Sequence, residues 1–377
     1  MRDAVIVEAV RTPVGKRNGA LAGIHPADLS ARVLNALVER AGIEPADVDD
    51  VVWGCVSQAG EQAGNIARTA VLAAGWPESV PATSVDRQCG SSQQAVHAAA
   101  AGVIAGYYDF AVAGGVESMS RVPMGFARQG VDKVLPDSVL DRYGVRGFNQ
   151  GIGAEMVASK WGFSRQQLDE YSLSSHAKAA AAIDSGAFDG QLVELPELSA
   201  DEGVRRGGSL ESLGKLKTAF REDGVITAGN ASQISDGSGA LLITTSDIAR
   251  ERGLRPIARV HTAVLAGDDP VMMLSAPWPA THKALRKAGL GIDDIGAFEV
   301  NEAFAPVPLA WLAETGADPA RLNPLGGAIA VGHPLGGSGA VLMTRLVHHM
   351  RANGIRYGLQ TMCEGGGMAN ATILELL

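Results

Sequence analysis

The stretch Val85-Asp86-Arg87-Gln88-Cys89-Gly90-Ser91-Ser92-Gln93-Gln94 joins an apolar run, Val80 to Val85, to an alanine-rich segment, Ala95 to Ala105. The run reads as a strand and the segment as a helix, so the stretch is a strand-to-helix turn with a cysteine on it. A cysteine at a helix N-terminus feels the positive end of the helix dipole and lies among N–H groups without helical partners. Both favour the thiolate, which is the nucleophilic form. A free thiol titrates near about 8.5, so a modest local field makes it reactive at neutral pH. Gly90, Ser91 and Ser92 leave room for a substrate to reach the backbone. The competing reading of the stretch is a small buried thiol that only packs.

The same alternation extends to both sides. Ala4 to Val7, Val51 to Cys55 and Phe110 to Gly115 read as strands. Pro26 opens a helix with Leu29, Val33, Leu34, Leu37 and Val38 at helical spacing, and Asn65 caps another that runs to Ala74. This predicts an α/β fold with a mainly parallel sheet covered on both faces. Beyond Ala240, strands are expected at Leu241–Thr244, Ile257–Val264, Ala297–Val300, Ala328–Val331, Leu359–Cys363 and Ala371–Leu376. Helices are expected from Pro279, from Phe304 to Leu312, and after Gly339 to about Met350. The turns at Cys89 and His333 echo each other, as do Tyr108–Gly115 and Tyr357–Gly367, which suggests two similar halves.

Between Ser118 and Gly224 the alternation fails. One clear helix is legible there, opened by Ser164 with Gln167 three residues on, a capping-box pattern. A structureless loop of that length is uncommon, so the segment reads as an inserted cover or lid. Arg205, Arg206, Lys215 and Lys217 gather near its end in an otherwise acidic chain. They read either as a solvated face or as a phosphate contact.

The whole chain narrows the function classes. Its 377 residues suffice for two or three domains, and a net charge of −9 disfavours nucleic-acid binding. No apolar run approaches the roughly 18 residues of a membrane span. Met1 to Val7 runs directly into a strand, which predicts no signal peptide and a cytoplasmic, reduced protein. Cys55, Cys89 and Cys363 are far apart and match no zinc spacing, so no metal is expected.

Three further groups stand at strand ends beside small residues: Asn301, His333 and Cys363, the last followed by Glu364 and three glycines. In open α/β sheets, ligands bind beyond the carboxyl ends of strands. Singly, each is a turn residue, a structural histidine or a packed thiol. Together they make chemical sense. A nucleophilic cysteine needs a base, which His333 supplies, and a second thiol can move protons. N–H groups near Cys89 and Gly365 can receive an oxyanion.

At these residues the chain resembles the thiolases, which cleave or form 3-oxoacyl-CoA thioesters. The resemblance runs through Asp86-Arg87-Gln88-Cys89-Gly90-Ser91, Thr227-Ala228-Gly229-Asn230-Ala231-Ser232, Asn301-Glu302-Ala303-Phe304-Ala305, Gly332-His333-Pro334, and Cys363 with Gly365 to Gly367. It implies the thiolase fold: two similar βαβ-rich halves in a five-layered αβαβα arrangement, with a loop domain inserted in the first. The N-terminal half would comprise 1–117 and 225–253, the loop domain 118–224, and the C-terminal half 254–377. The implied roles are Cys89 as acylated nucleophile, His333 as its activator and Cys363 as acid/base. Asn301 would hold a water at the thioester oxygen, and the N–H groups of Cys89 and Gly365 would form the oxyanion hole. Implied CoA contacts are Arg205, Ser212, Phe220, Ala228, Ser232 and Phe304. CoA would be a co-substrate, with no permanently bound cofactor, and the chain a homodimer or homotetramer acting on acyl-CoA.

Two departures bear on substrate. Asn149-Gln150 stands where many biosynthetic acetoacetyl-CoA thiolases have a His-Met pair, and Glu364 stands where relatives often have an apolar residue. The Cys89 and Cys363 motifs are similar to those of actinobacterial thiolases of steroid and branched-acyl breakdown, which favours degradation. The alternatives are a biosynthetic acetoacetyl-CoA thiolase, a decarboxylating condensing enzyme, and a non-catalytic CoA or lipid carrier.

Overall fold

A computed structural model describes residues 2–377. Its strands are β1 (Val5–Arg11), β2 (Gly15–Lys16), β3 (Asp50–Gly54), β4 (Ala82–Val85), β5 (Ala111–Ser118), β6 (Ser235–Thr244), β7 (Ala258–Gly267), β8 (Ala297–Val300), β9 (Tyr357–Glu364) and β10 (Met368–Leu376). They hydrogen-bond in the order β4-β3-β5-β6-β1-β7-β10-β9-β8, with β2 on β6. The order is a repeat read outward from its centre. In the first half β6 lies antiparallel between β1 and β5; in the second β10 lies antiparallel between β7 and β9. Along the sheet, among the described residues, β1 and β7 pair at two positions, Val5–Arg259 and Ile6–Ala258.

The sheet is therefore mixed, not mainly parallel as the alternation predicts. Strands joined by a helical crossover do pair in parallel: β3 with β4, β3 with β5, and β8 with β9. The reversals come from connections that are not crossovers. Gly365 to Gly367 turn β9 into β10 as a tight hairpin, which forces antiparallel pairing. The long excursion after Ser118 brings β6 back in the opposite direction.

Period-two alternation along the strands divides the apolar side chains among three cores. Val5, Val51, Trp53, Val112, Val116 and Leu242 pack under the helices Pro26–Ala41 and Ile66–Ala73. Their neighbours Ile6, Val52, Ala111, Ala113, Leu241 and Ile243 turn the other way, onto the helices Ser91–Ala105 and Ser338–Asn353. Ala258, Val260, Ala297 and Leu374 reach those two helices from the second half, while Val264, Phe298, Leu359 and Ile373 face the helices Pro277–Ala288 and Pro306–Thr315. Helix, sheet, helix, sheet, helix is thus the layer order. The two central helices begin at the Cys89 and His333 turns, and glycine lets them approach closely. A Cβ on Gly339 would lie 2.3 Å from the Gln93 nitrogen, and one on Gly54 would lie 2.3 Å from the Ser92 nitrogen and 2.7 Å from the Gly336 oxygen.

Ala328–Val331 is a short helix, not the strand its four apolar residues suggest. So short an apolar run does not distinguish the two by periodicity. Glu302 decides it, accepting from the Ile329 N–H in the first turn. The place of a fifth strand in this half is held by one bridge between Phe298 and Leu322. The His333 turn still precedes the second central helix, as the Cys89 turn precedes the first.

The segment from Ser118 to Gly224 has more structure than its sequence reveals. The capping box at Ser164 and Gln167 is present and opens Arg165–Asp184. Helices Asp137–Tyr143, Gln150–Trp161 and Leu210–Gly214 are additional. Gln150–Trp161 escapes pattern reading because it contains Gly151 and Gly153, poor helix formers that give close contacts to the Phe220 ring and the Met272 carbonyl. Buried charge fastens the segment to the sheet. Arg11 and Asp201 form a bidentate pair at 2.7 and 3.0 Å, both side chains fully buried, and Glu155 accepts from the Val225 and Ile226 N–H groups.

Candidate active site

The Cys89 turn is built by its own backbone. Gln88 takes a left-handed conformation (φ 48°), the Gly90 N–H donates to the Arg87 carbonyl at 3.1 Å, and the Ser91 N–H donates to the Gln88 carbonyl at 3.0 Å. The Ser91 hydroxyl also donates to the Gln88 carbonyl and accepts from the Arg87 N–H. The donors expected to stabilise a thiolate are thus partly spent within the turn. Cys89 is buried among Met119, Leu335, Leu342 and Met362. Burial first, then the neighbouring Cys363 and Glu364, pushes its thiol well above the ordinary range. The field of the turn does not by itself ionise Cys89, which rests as a neutral thiol and needs the base that the sequence reading already asks for.

His333 is placed by the Gly332 turn, where φ is 112° and a Cβ would meet the Ser235 hydroxyl at 2.3 Å. Its N–H donates to the Gln233 carbonyl at 3.1 Å. Its Nδ1 lies 2.6 Å from the Ser338 hydroxyl, which donates to the Pro334 carbonyl at 2.9 Å. A hydroxyl has one proton. With that proton on Pro334, Ser338 accepts from Nδ1–H, and Nε2 is left with its lone pair. Nε2 is 3.4 Å from the Asn301 amide nitrogen. Burial lowers the His333 pKa to about 4, so the ring is a neutral base at pH 7.

Asn301 follows β8, where its N–H donates to the Thr361 carbonyl of β9 at 3.1 Å; its Oδ1 is buried without a partner. Cys363 is the last residue but one of β9, and burial raises its thiol to about 12. The residues flanking Cys89 touch those that follow Cys363. A Cβ on Gly90 would lie 2.1 Å from Glu364 Oε1, and one on Gly365 would lie 2.9 Å from Gln88 Oε1. Among the described residues, neither the Cys89 nor the Gly365 N–H donates to a turn carbonyl. The structure therefore brings the Cys89 turn against the Cys363 hairpin and His333 against Asn301. Leu335, two residues past His333, packs in the Cys89 cluster.

Of the CoA candidates, five form a connected patch. Phe220 and Phe304 meet edge to face at 5.9 Å, Ala231 bridges Phe304, and the Ser232 N–H donates to the Ala303 carbonyl at 2.9 Å. Ala228 is exposed on the same loop, whose Gly229 packs on Leu213 and Leu216 beside the Ser212 helix. Ser212 closes a capping box with Ser209. Arg205 lies apart from these contacts, exposed, with its N–H fixed to His176 Nδ1 at 3.0 Å. Arg206 and Lys215 pair with Asp184 and Glu211, so part of the basic cluster is a solvated, paired surface.

Sequence reading missed three polar positions around the site. Ser338 is hidden among glycines although it orients His333. Glu117 accepts from the Val56, Ser57 and Gly336 N–H groups and ties the His333 turn to the first half. Glu302 accepts from the Tyr171 and Ser175 hydroxyls and the Asn323 amide. A carboxylate beside Asn301 in an apolar stretch was the available signal for the last.

Two family models match the chain: Thiolase, N-terminal domain, over residues 4–247, and Thiolase, C-terminal domain, over residues 254–376. The chain is a member of the thiolase family. This thiolase is 50% identical to the steroid 3-ketoacyl-CoA thiolase FadA6 of Mycobacterium tuberculosis, with 100% of this chain and 95% of that protein covered. It is 42% identical to the 3-ketoacyl-CoA thiolase of Erwinia tasmaniensis over the full length of both. The crystal structure of the Bacillus anthracis acetyl-CoA acetyltransferase superposes with a TM-score of 0.92 at 38% identity, covering 100% of this chain and 99% of that one. The thiolase is thus an acyltransferase of the α/β class, with thiolytic cleavage of 3-oxoacyl-CoA as its reaction. No helix among the described residues is long and apolar enough to cross a membrane.

Proposed function

We propose that this thiolase works through an acyl-enzyme on Cys89, with His333, Cys363 and Asn301 as its other catalytic residues. What supports this is a buried neutral imidazole whose Nδ1–H is held by Ser338, leaving Nε2 as its acceptor nitrogen beside the Asn301 amide, together with a Cys89 turn packed against the Cys363 hairpin. The Cys89 sulfur attacks the 3-keto carbon while its proton passes to His333 Nε2. We read the Cys89 and Gly365 N–H groups as the donors to the oxygen as it gathers charge. The C2–C3 bond then breaks, and its electron pair leaves as the enolate of acetyl-CoA, or of propionyl-CoA for a 2-methyl substrate. Protonated His333 and Asn301 stabilise the enolate oxygen, and the Cys363 thiol protonates its carbon. The Cys363 thiolate next takes the proton of incoming CoA, whose sulfur takes the shortened acyl group from Cys89, and the departing Cys89 sulfur regains its proton from His333. CoA is read as co-substrate, held by Phe220, Ala228, Ser232 and Phe304 along one patch, with Ser212 and Arg205 toward its phosphates.

We read the substrates as steroid-derived or branched 3-oxoacyl-CoA. The 50% relative is named for steroid substrates. Asn149, in place of the expected histidine, is spent capping Gln150–Trp161, where it accepts from the Gly151 and Ile152 N–H groups. Residues 118–224 are read as the cover that shapes the acyl site, between an N-terminal half (1–117 and 225–253) and a C-terminal half (254–377). The chain is read as cytoplasmic and homo-oligomeric, its open edge strand β4 leading directly into Cys89; light scattering after size exclusion tests the oligomer. A thiolysis panel of acetoacetyl, medium-chain, 2-methyl-branched and steroid-derived 3-oxoacyl-CoA tests the substrate reading. Highest kcat/KM on acetoacetyl-CoA overturns it. The acyl-enzyme reading is tested by intact-mass measurement, and an acyl adduct persisting on Cys89→Ala overturns it.

A further inference from the structure

From Ala263 to Gly267 the outer edge of β7 carries no strand among the described residues, because β1 pairs with it only at Ala258 and Arg259. The helix Pro277–Ala288 lies against that edge, and its lysines take free carbonyls: Lys283 Nζ donates to Leu265 at 2.8 Å and Lys287 Nζ to Ala263 at 3.3 Å. Between this helix, the end of β7 and the Cys89 turn lies a cleft of about 550 Å³. Arg87, Lys283 and Arg286 line it, with Leu265, Pro279 and Met368 as apolar wall. In a chain of net charge −9 this is a local excess of positive charge. Among the described residues none of the three cations forms an ion pair. The nearby carboxylates of Asp86, Asp268 and Asp269 are turned to their own loops, where they accept from the Gln88, Asp269 and Val271 N–H groups. Arg87 Nε is buried without a partner, and an ammonium has three donors, of which Lys283 gives one to Leu265.

We propose that this cleft is a second ligand site, which binds a phosphomonoester: Arg87, Lys283 and Arg286 hold the dianion, and Leu265, Pro279 and Met368 take its ring or chain. A cleft lined by one sign of charge concentrates ligands of the other. Guanidinium groups present N–H donors in a fork that matches phosphate oxygens, and a dianion answers three cations better than a single carboxylate does. The volume exceeds what a bare phosphate fills, which leaves the apolar wall to the organic part. None of the lining residues belongs to the patch read as the CoA site, so the two are separate. The ligand would sit on the nucleophile turn itself, since the Arg87 N–H donates to the Ser91 hydroxyl and its carbonyl accepts from the Gly90 N–H, one residue on either side of the backbone that carries Cys89.

The test needs no turnover and does not depend on the acyl-enzyme reading. Phenyl phosphate and inorganic phosphate are titrated into the full-length protein by calorimetry at low ionic strength, where screening is weakest. Phenyl phosphate should bind about tenfold more tightly than inorganic phosphate, because its ring is removed from water on the apolar wall. Arg286→Gln, at an exposed position, should weaken phenyl phosphate about tenfold or more, the worth of one hydrogen bond to a charged group. Lys287→Gln removes the same charge from the next position of the helix, outside the cleft, and should leave the Kd within about twofold. Saturating CoA should leave phenyl phosphate binding in place. Absence of phenyl phosphate binding overturns the proposal, and so does inorganic phosphate binding as tightly. Equal losses in Arg286→Gln and Lys287→Gln overturn it too, since they would assign the effect to general charge. Displacement by CoA would mean one shared site and overturns it as well. Failure of thiolysis on every substrate, with this binding pattern intact, would refute the catalytic reading and leave the cleft standing.

Discussion

Replacing Ser338 with alanine removes the hydroxyl that accepts from His333 Nδ1–H at 2.6 Å, while leaving the imidazole in place. The ring then has a buried donor with no acceptor, or it moves the proton to Nε2 and loses its basic nitrogen there. Leaving such a donor unpaired costs about 1–3 kcal/mol. If that penalty falls on the productive tautomer, acylation slows about 5- to 150-fold. The assay is single-turnover acylation of Cys89 by 3-oxoacyl-CoA, measured by quenched-flow mass spectrometry, with thermal unfolding as a control for the helix that Ser338 begins. Ser338→Thr, which keeps a hydroxyl, should recover most of the rate. Acylation of Ser338→Ala within twofold of wild type would refute the tautomer argument. So would an equal loss in Ser338→Ala and Ser338→Thr.

Further outcomes follow from the same geometry. His333 has its pKa lowered to about 4 by burial, so the active neutral form persists down to that pH; acylation should show no His333 limb near 6.5, and a clear limb there in a pH–rate profile would mean a solvated ring. Cys363→Ser should still form the acyl-enzyme but turn over at least about 100-fold more slowly, since proton transfer from a positioned group contributes that much; unchanged steady-state thiolysis would remove the second thiol from the mechanism. Asp201→Ala leaves the Arg11 guanidinium buried without its counter-charge and should cost about 3–5 kcal/mol in denaturant unfolding. A loss below 1 kcal/mol would show that the segment around Asp201 is not fastened there.

The fold was legible where local pattern and tertiary packing agree. Strand, turn and helix around Cys89 follow from apolar run, small residues and alanines, and the capping box at Ser164 marks a helix start that the structure retains. Strand direction was not legible, because alternation of elements does not say that β6 returns reversed after a long excursion. Nor was the Ala328–Val331 helix, whose first turn is held by a carboxylate 27 residues before Ile329 in the chain. At the site, residue types at strand ends pointed to Cys89, Asn301, His333 and Cys363. The protonation states did not follow from those residues. The helix dipole argument predicts a thiolate at Cys89, whereas burial first of all holds the proton on. Ser338 was silent because its role is to fix a proton on another side chain.

The close approach of the two central helices constrains how such a protein can diversify. Gly54, Gly336 and Gly339 interlock the starts of the two central helices, which follow the Cys89 and His333 turns, so any added bulk there would spread both at once. Mutational latitude at this seam is close to nil. Adaptation to a new acyl group is easier to write elsewhere, in the exposed parts of the excursion between β5 and β6.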